Sequence, residues 1–101
     1  MKNKLKYLQL FEGNWQLKKE FIPKMKSEIE ALKNETDNAV LYQLVFKLKK
    51  KYYNLIGNDD LYHELEEAVE MHRRQWPNWK GSLDKAITIL DELENSDLKE
   101  Y

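Results

Sequence analysis

The chain has 101 residues, of which 42% are hydrophobic and 35% charged, and its net charge is −1. This length corresponds to one domain with a modest core, and a 12% share of aromatic residues argues against disorder. The absence of cysteine excludes disulfides, thiolate metal sites and a cysteine nucleophile, and it fits a reducing compartment. The chain has neither a secretory leader nor a long apolar run, so the sequence predicts a cytoplasmic protein that does not enter a membrane.

The first third of the chain has a helical periodicity that Gly13 and Pro23 interrupt. One interpretation is a short helix over 3–11, followed by a longer helix from Asn14 that is kinked near Pro23. The other is a helix that starts at Pro23, because proline is favoured in the first turn. We favour the kinked helix, since the apolar spacing stays in phase across Pro23. The apolar positions are Leu5, Leu8, Phe11, Trp15, Ile22, Met25, Ile29 and Leu32.

The stretch from Asp37 to Gly57 is the clearest helix. Asp37 or Asn38 can cap its start, because a side-chain oxygen there accepts from a free backbone N–H. Gly57 can end it in the left-handed conformation. Apolar residues recur at three- and four-residue steps and form one broad stripe. They are Leu41, Leu44, Val45, Leu48, Tyr52, Leu55 and Ile56.

Two further helices follow, and each has start and stop signals. Asn58 or Asp59 caps the third helix, and Pro77 stops it near Gln75, because proline lacks an N–H and clashes with the preceding turn. Ser82 is the predicted N-cap of the fourth helix, which ends at Asn95 and Ser96. Residues 95–101 are expected to be a frayed tail.

The sequence therefore predicts a single all-α domain over residues 1–101. The architecture is a small antiparallel bundle of about four helices, the first of them kinked or broken near Gly13 and Pro23, because short connections favour antiparallel neighbours. The predicted core consists of Trp15, Ile22, Met25, Ile29, Leu32, Leu41, Leu44, Val45, Leu48, Tyr52, Leu55, Leu65, Ala68, Val69, Leu83, Ile87 and Leu90.

Charge is distributed unevenly along the chain. Residues 1–56 contain twelve lysines and six acidic residues, whereas residues 57–101 contain twelve acidic and five basic residues. Two oppositely charged halves attract each other when they pack antiparallel in one bundle, and this is the favoured interpretation. The alternative is a surface that faces a partner.

Candidate catalytic and metal-binding groups are few. His63, Glu67 and Glu70 share one helix face, but the zinc-protease spacing requires histidine at position 67. No Glu-x-x-His pair of the di-metal bundles occurs, and no glycine-rich phosphate loop or nucleophile elbow is present. We therefore expect no enzyme activity, no metal and no cofactor.

The stretch HRRQWPNWKG, residues 72–81, concentrates arginine and tryptophan at the predicted corner between the third and fourth helices. Trp76 could close the end of the core while Trp79 packs on the last helix. Alternatively, the stretch forms an exposed patch, since tryptophan and arginine are enriched at binding hot spots. An acidic segment precedes it, which could meet a basic partner. The candidate partner-binding residues are Arg73, Arg74, Trp76, Trp79, Glu66, Glu67 and Glu70.

A second candidate surface is the basic segment KLKKKYY, residues 47–53. Lysines next to tyrosine could contact phosphates and stack on bases. However, the isoelectric point near 6.1 is far from the basic footprint typical of nucleic-acid-binding domains, so we expect nucleic-acid binding to be the less probable function. The residues concerned are Lys47, Lys49, Lys50, Lys51 and Tyr53.

Together these features favour a non-catalytic protein-binding module, such as an inhibitor, an immunity factor or a regulatory adaptor. Its size and composition are typical of small bacterial or phage proteins, an analogy that does not carry function. The partner is expected to be another protein of unknown identity. The large share of aromatic residues leaves a homo-oligomer open, because a small four-helix core does not easily hide them all.

Overall fold

The computed structural model describes residues 17–96. Over this range the chain forms four α-helices: α1 (Ile22–Leu32), α2 (Asn38–Tyr52), α3 (Asp59–Arg73) and α4 (Trp79–Glu94). A short 3₁₀ turn, Lys19–Phe21, precedes α1. Within these residues extended pairing is limited to one antiparallel bridge, between Leu17 and Ile56. The predicted all-α bundle of about four helices is confirmed.

Helix α1 begins at the proline. Pro23 lies in the first turn, after Phe21 at the N-cap, so the interpretation that starts a helix at Pro23 is the observed one. Our preferred helix running from Asn14 through Pro23 is wrong at residues 17 and 18, which are not helical, whereas residues 19–21 form a 3₁₀ turn that leads into α1. Instead, the Lys18 N–H donates to the Leu55 carbonyl at 2.8 Å, which ties this segment to the connection between α2 and α3. Gly13, Trp15 and the helix predicted over 3–11 lie outside the described residues.

Two of the predicted helix starts are confirmed. Asp37 caps α2, where its carboxylate accepts from the N–H groups of Ala39 and Val40 at 2.9 and 3.1 Å. Asn58 caps α3 by accepting from the Leu61 N–H at 2.9 Å. These side chains satisfy backbone donors that have no partner inside the helix.

Two other end signals are wrong. Gly57 does not take a positive φ, because α2 ends earlier, at Tyr52, and the chain turns through residues 53–55 before the bridge at Ile56. Ser82 is not an N-cap, because α4 starts earlier, at Trp79, and Ser82 lies inside the helix. There it is buried, and its hydroxyl donates to the Met71 sulfur at 3.3 Å.

Helices α1 and α4 pack antiparallel, as the ion pairs between them show. Lys26 of α1 pairs with Asp91 and Glu94 of α4 at 2.6 and 3.0 Å. Lys33, which lies two turns after Lys26, pairs with Asp84, which lies about two turns before Asp91. These contacts join lysines of the first half of the chain to carboxylates of the second half. They agree with the interpretation that the uneven charge serves packing inside the bundle.

Most of the predicted core is buried. Leu44 is an exception and is 36% exposed, because it lies on the side of α2 that faces α1 across an open cleft. Leu55, Val69 and Ile87 are half-buried and pack against the core from its edge. The buried predicted residues are Ile22, Met25, Ile29, Leu32, Leu41, Val45, Leu48, Tyr52, Leu65, Ala68, Leu83 and Leu90; Leu17, Ile56, Leu61, Tyr62, Met71, Ala86 and Leu93 join them.

Two buried tyrosines keep their hydroxyl groups satisfied. Tyr52 donates to the Glu28 carboxylate at 2.5 Å, and Tyr62 donates to the Ile56 carbonyl at 2.5 Å. Burial works against ionisation of Glu28, but the hydrogen bonds from Tyr52 and Lys51 outweigh it, and the pKa of this carboxyl is lowered. Burial raises the pKa of Tyr62 well above its ordinary value.

Candidate functional site

The corner between α3 and α4 is closed by backbone hydrogen bonds. Gln75 has a positive φ of 63°, which places a non-glycine residue in the left-handed region. The Trp76 N–H donates to the Met71 carbonyl at 2.9 Å, and the Gln75 N–H donates to the His72 carbonyl at 3.0 Å. This pair of bonds is the Schellman closure of a helix end, and it fixes the direction in which the chain leaves α3.

The two tryptophans of this corner have different surroundings. Trp76 is 46% exposed, so it does not close the core, and the Arg74 guanidinium lies 5.4 Å from its ring centre. Trp79 is half-buried and packs on the edge of the core, with its ring 4.6 Å from His72 in a T-shaped arrangement. The corner therefore exposes one tryptophan and uses the other for packing.

Both arginines of the corner share one carboxylate. Arg73 donates to Glu70 at 2.5 and 3.1 Å, and Arg74 donates to the same carboxylate at 2.7 Å. These charge-assisted bonds lower the pKa of Glu70 to about 2. Both guanidinium groups are exposed but held by Glu70, and that of Arg74 lies over Trp76.

A small cleft of about 360 Å³ lies next to Trp76 at this corner. Asn38, from the start of α2, lines it, and its amide nitrogen is 3.0 Å from His72 Nδ1 and 3.1 Å from the Val69 carbonyl. The cleft is polar, and Arg73 and Trp79 also line it. We use the name α3–α4 corner for the surface formed by Arg73, Arg74, Trp76 and Trp79.

The predicted acidic residues do not form one free negative face. Glu66 pairs with Lys49 of α2 at 3.0 Å, and Glu70 is taken up by the two arginines. Glu67 is half-buried and His63 is exposed. Among residues 17–96 no group of three histidine or carboxylate side chains is placed to hold a metal ion.

The basic segment also makes contacts within the protein. Lys49 pairs with Glu66, and Lys51 pairs with Glu28 at 3.2 Å. Lys50 lies over the Phe46 ring, 5.5 Å from its centre. Lys47 is exposed at the cleft between α1 and α2, and the ring centres of Tyr53 and Tyr62 are 5.4 Å apart. Two of these lysines would have to leave an ion pair to contact a phosphate, and nucleic-acid binding stays a prediction.

Helix α2 also exposes an apolar surface that was not predicted from the sequence. Tyr42 is 60% exposed, Phe46 52% and Tyr53 40%. The rings of Tyr42 and Phe46 stack with 6.4 Å between their centres and 14° between their planes. We name these three residues the α2 aromatic face. Their spacing of four and seven residues is a usable signal, but the stripe predicted for this helix contains Tyr52 as its only aromatic residue.

The α2 aromatic face lines a groove of about 1010 Å³ between α2 and α3. Members of both candidate sets lie along this groove, namely Lys49 and Lys50 from the basic segment and Glu66, Glu70 and Arg73 from the α3 side. Arg73 and Asn38 also line the corner cleft, so groove and corner adjoin. The structure thus brings residues of the two sets together that the sequence analysis treated separately.

Comparisons of the chain with protein-family models, with curated proteins and with solved structures found no match. In the part of the chain that the structure describes, no helix has the length and apolar character needed to cross a bilayer.

Proposed function

We propose that this protein is a non-catalytic protein-binding module, an inhibitor, immunity factor or regulatory adaptor, that contacts its partner through the α3–α4 corner. The observation that carries the proposal is Trp76, a large side chain that is 46% exposed at a rigidly closed turn. Leaving an indole in water forgoes the gain from burying it, which a bound partner would recover.

The surroundings of Trp76 support this role. Interface hot spots combine a tryptophan or an arginine with neighbours that exclude water. Arg74 lies over the indole ring, and Arg73, which Glu70 holds, lines the same cleft as Trp76. Because the hydrogen bonds of the turn and the shared carboxylate already order these groups, binding would require little further loss of conformational entropy.

A chain without cysteine has no disulfide that a reducing compartment could break. The cytoplasm is therefore the proposed location. The partner is proposed to be a protein whose surface offers an apolar pocket for the indole and carboxylates for the arginines. An acidic rim around an apolar pocket would satisfy both groups.

The test is a pull-down from the native host with tagged wild-type protein and two variants. The double variant Arg74→Ala, Trp76→Ala removes the exposed corner side chains, and Phe46→Ala removes an aromatic ring of similar exposure on α2 as a matched control. We expect wild type and the control to capture the same partner and the corner variant to lose it, with all three showing the same circular dichroism spectrum.

Equal recovery of one partner by the corner variant and by wild type would show that the corner is not the contact. A hot-spot pair of this kind is expected to weaken binding at least about 30-fold, which a titration with the purified partner would measure.

A further inference from the structure

The cleft of about 360 Å³ beside Trp76, which we call the corner cleft, is lined on its apolar side by two tryptophans and a proline. Arg73 brings a fixed positive charge to it, and none of the described residues that line it is acidic. The other polar side chains of the lining are those of Thr36, Asn38, His72 and Gln75. The cleft therefore has hydrogen-bond donors and a positive charge without a carboxylate of its own.

The hydrogen bonds of Asn38 fix which nitrogen of His72 carries the proton. The Asn38 amide nitrogen lies 3.1 Å from the Val69 carbonyl, which can only accept, and 3.0 Å from His72 Nδ1. The amide therefore donates to both groups, and Nδ1 is the accepting nitrogen of a neutral ring. The proton of that ring is on Nε2, for which no acceptor is found within residues 17–96. Trp79 packs against the imidazole in a T-shaped contact and holds its orientation.

Arg73 also keeps a donor that Glu70 does not use. Its Nε and Nη2 donate to Glu70, whereas no acceptor for Nη1 is found among the described residues. Arg74 shares the same carboxylate, so this ion cluster has two positive charges and one negative charge. The carboxylate of Asp37, which lies between two residues of the lining, is used to cap α2. Positive charge thus exceeds negative charge at this cleft.

We propose that the corner cleft binds the side-chain carboxylate of an aspartate or glutamate of the partner protein, which accepts from His72 Nε2 and Arg73 Nη1. This inference rests on the proposed function and adds a second contact next to Trp76. Hydrogen bonds from a guanidinium to a carboxylate are among the strongest in proteins, and the surrounding indole rings exclude water from them.

A side chain fits this cleft better than the carboxylate at a chain end does. Chain ends are commonly bound by backbone N–H groups. At this corner the N–H groups of Gln75 and Trp76 already donate to the carbonyls that close α3. The free donors belong to side chains, which reach a carboxylate that projects from the partner's surface.

An NMR titration of the isotope-labelled protein at pH 7.5 and constant ionic strength tests the proposal. The probe is the blocked tripeptide acetyl-Gly-Glu-Gly-amide, and the comparison peptides are its glutamine counterpart and acetyl-Gly-Gly-Gly with a free carboxylate. We expect the glutamate peptide to shift the side-chain signals of His72 and Arg73 with a Kd of about 1–10 mM, and the other two to bind at least about 10-fold more weakly. His63, exposed on the same helix, is the internal control and should not shift.

Two charge-removing variants locate the site. Arg73→Gln removes the guanidinium from the cleft and should weaken binding of the glutamate peptide by about 10-fold or more. Lys80→Gln is the matched control, because Lys80 lies over the Trp79 ring but does not line the cleft, and it should bind within about two-fold of wild type. The nitrogen signals of His72 should also show its proton on Nε2.

The absence of shifts at about 50 mM glutamate peptide would overturn the proposal. Equal binding of the glutamine peptide, tighter binding of the free chain end, undiminished binding by Arg73→Gln or a His72 proton on Nδ1 would overturn it as well. The pull-down with the Arg74→Ala, Trp76→Ala variant does not depend on this cleft, so the failure of one proposal is distinguishable from the failure of the other.

Discussion

Leu41 and Phe46 stand five residues apart on the same helix, yet one is fully buried and the other is about half exposed. Both have aromatic or aliphatic neighbours at helical spacing, Leu41 with Val45 and Phe46 with Tyr42, so local sequence does not distinguish the two sides of α2. The difference in exposure comes from the helices that pack around α2, because α1 and α3 flank only part of it. The periodicity of apolar residues predicts that a side of a helix is buried. Whether another helix of the same chain buries it depends on the tertiary structure.

The largest expected effect comes from breaking the core side. Leu41→Ala should lower the free energy of unfolding by about 2–5 kcal/mol, because it leaves a cavity in a close-packed interior. Phe46→Ala should change it by less than about 1 kcal/mol, because the aromatic face is in water. Urea unfolding followed by circular dichroism measures both. Similar losses for the two variants would mean that the two sides of α2 do not differ as described.

Removing one hydroxyl group, from buried Tyr52 or from exposed Tyr42, compares the two sides of α2 more finely. Tyr52→Phe removes the donor to Glu28 and should lower the free energy of unfolding by about 1–2 kcal/mol, since a partly buried hydrogen bond to a charged group is lost. The pKa of Glu28 should rise at the same time, which an NMR titration detects. Tyr42→Phe, on the exposed side, is the control and should leave both stability and that titration unchanged.

At Gln75, in contrast, a substitution is expected to increase stability. Gln75→Gly should stabilise the protein by about 0.5–1 kcal/mol, because glycine adopts the left-handed conformation without a Cβ clash. Gln43→Gly, in the middle of α2, is the matched substitution and should destabilise by about 1 kcal/mol. Thermal unfolding of both variants gives the answer, and a loss of stability in Gln75→Gly would argue against the left-handed turn at the corner.

The smallest effect is expected from Glu70. Its pKa is lowered from 4.5 to about 2 by Arg73 and Arg74, so the folded state holds the ionised form more strongly than the unfolded state does. The stabilisation is present above pH 4.5 and is lost as the pH falls towards 2. Because the carboxylate is exposed, solvent and salt screen it, and Glu70→Gln should alter stability at neutral pH far less than Leu41→Ala does. An NMR titration showing an ordinary pKa for Glu70 would contradict the ion cluster.

Much of the fold was predictable from the sequence. The caps at Asp37 and Asn58 work through single side chains and their own backbone, so local chemistry was sufficient. The start of α1 was uncertain because apolar residues stay in phase across Pro23. Pairing of Leu17 with Ile56, a contact between residues distant in sequence, decided it.

The candidate site was less predictable than the fold. Arginine and tryptophan are typical of binding hot spots, so their presence at the corner predicted a contact surface. The exposure of Trp76 and the burial of Ser82, however, depend on where α4 begins. The aromatic face was hidden because Tyr42 and Phe46 have the same character as true core residues. Ion pairs such as Lys49 with Glu66 were also invisible, since they join helices whose register the sequence does not give.

The contacts of α1 have a consequence for how the protein is made. Lys19 donates to the Ser96 carbonyl across 77 positions of sequence, and Lys26 reaches Asp91 across 65. Within residues 17–96, the first helix thus finds ion-pair partners on the last one, besides the contact of Glu28 with Lys51 of α2. α2 and α3 can form a hairpin during synthesis, whereas the contacts of α1 with α4 form only after α4 has emerged, and the side of α1 that α4 covers is available to chaperones until then.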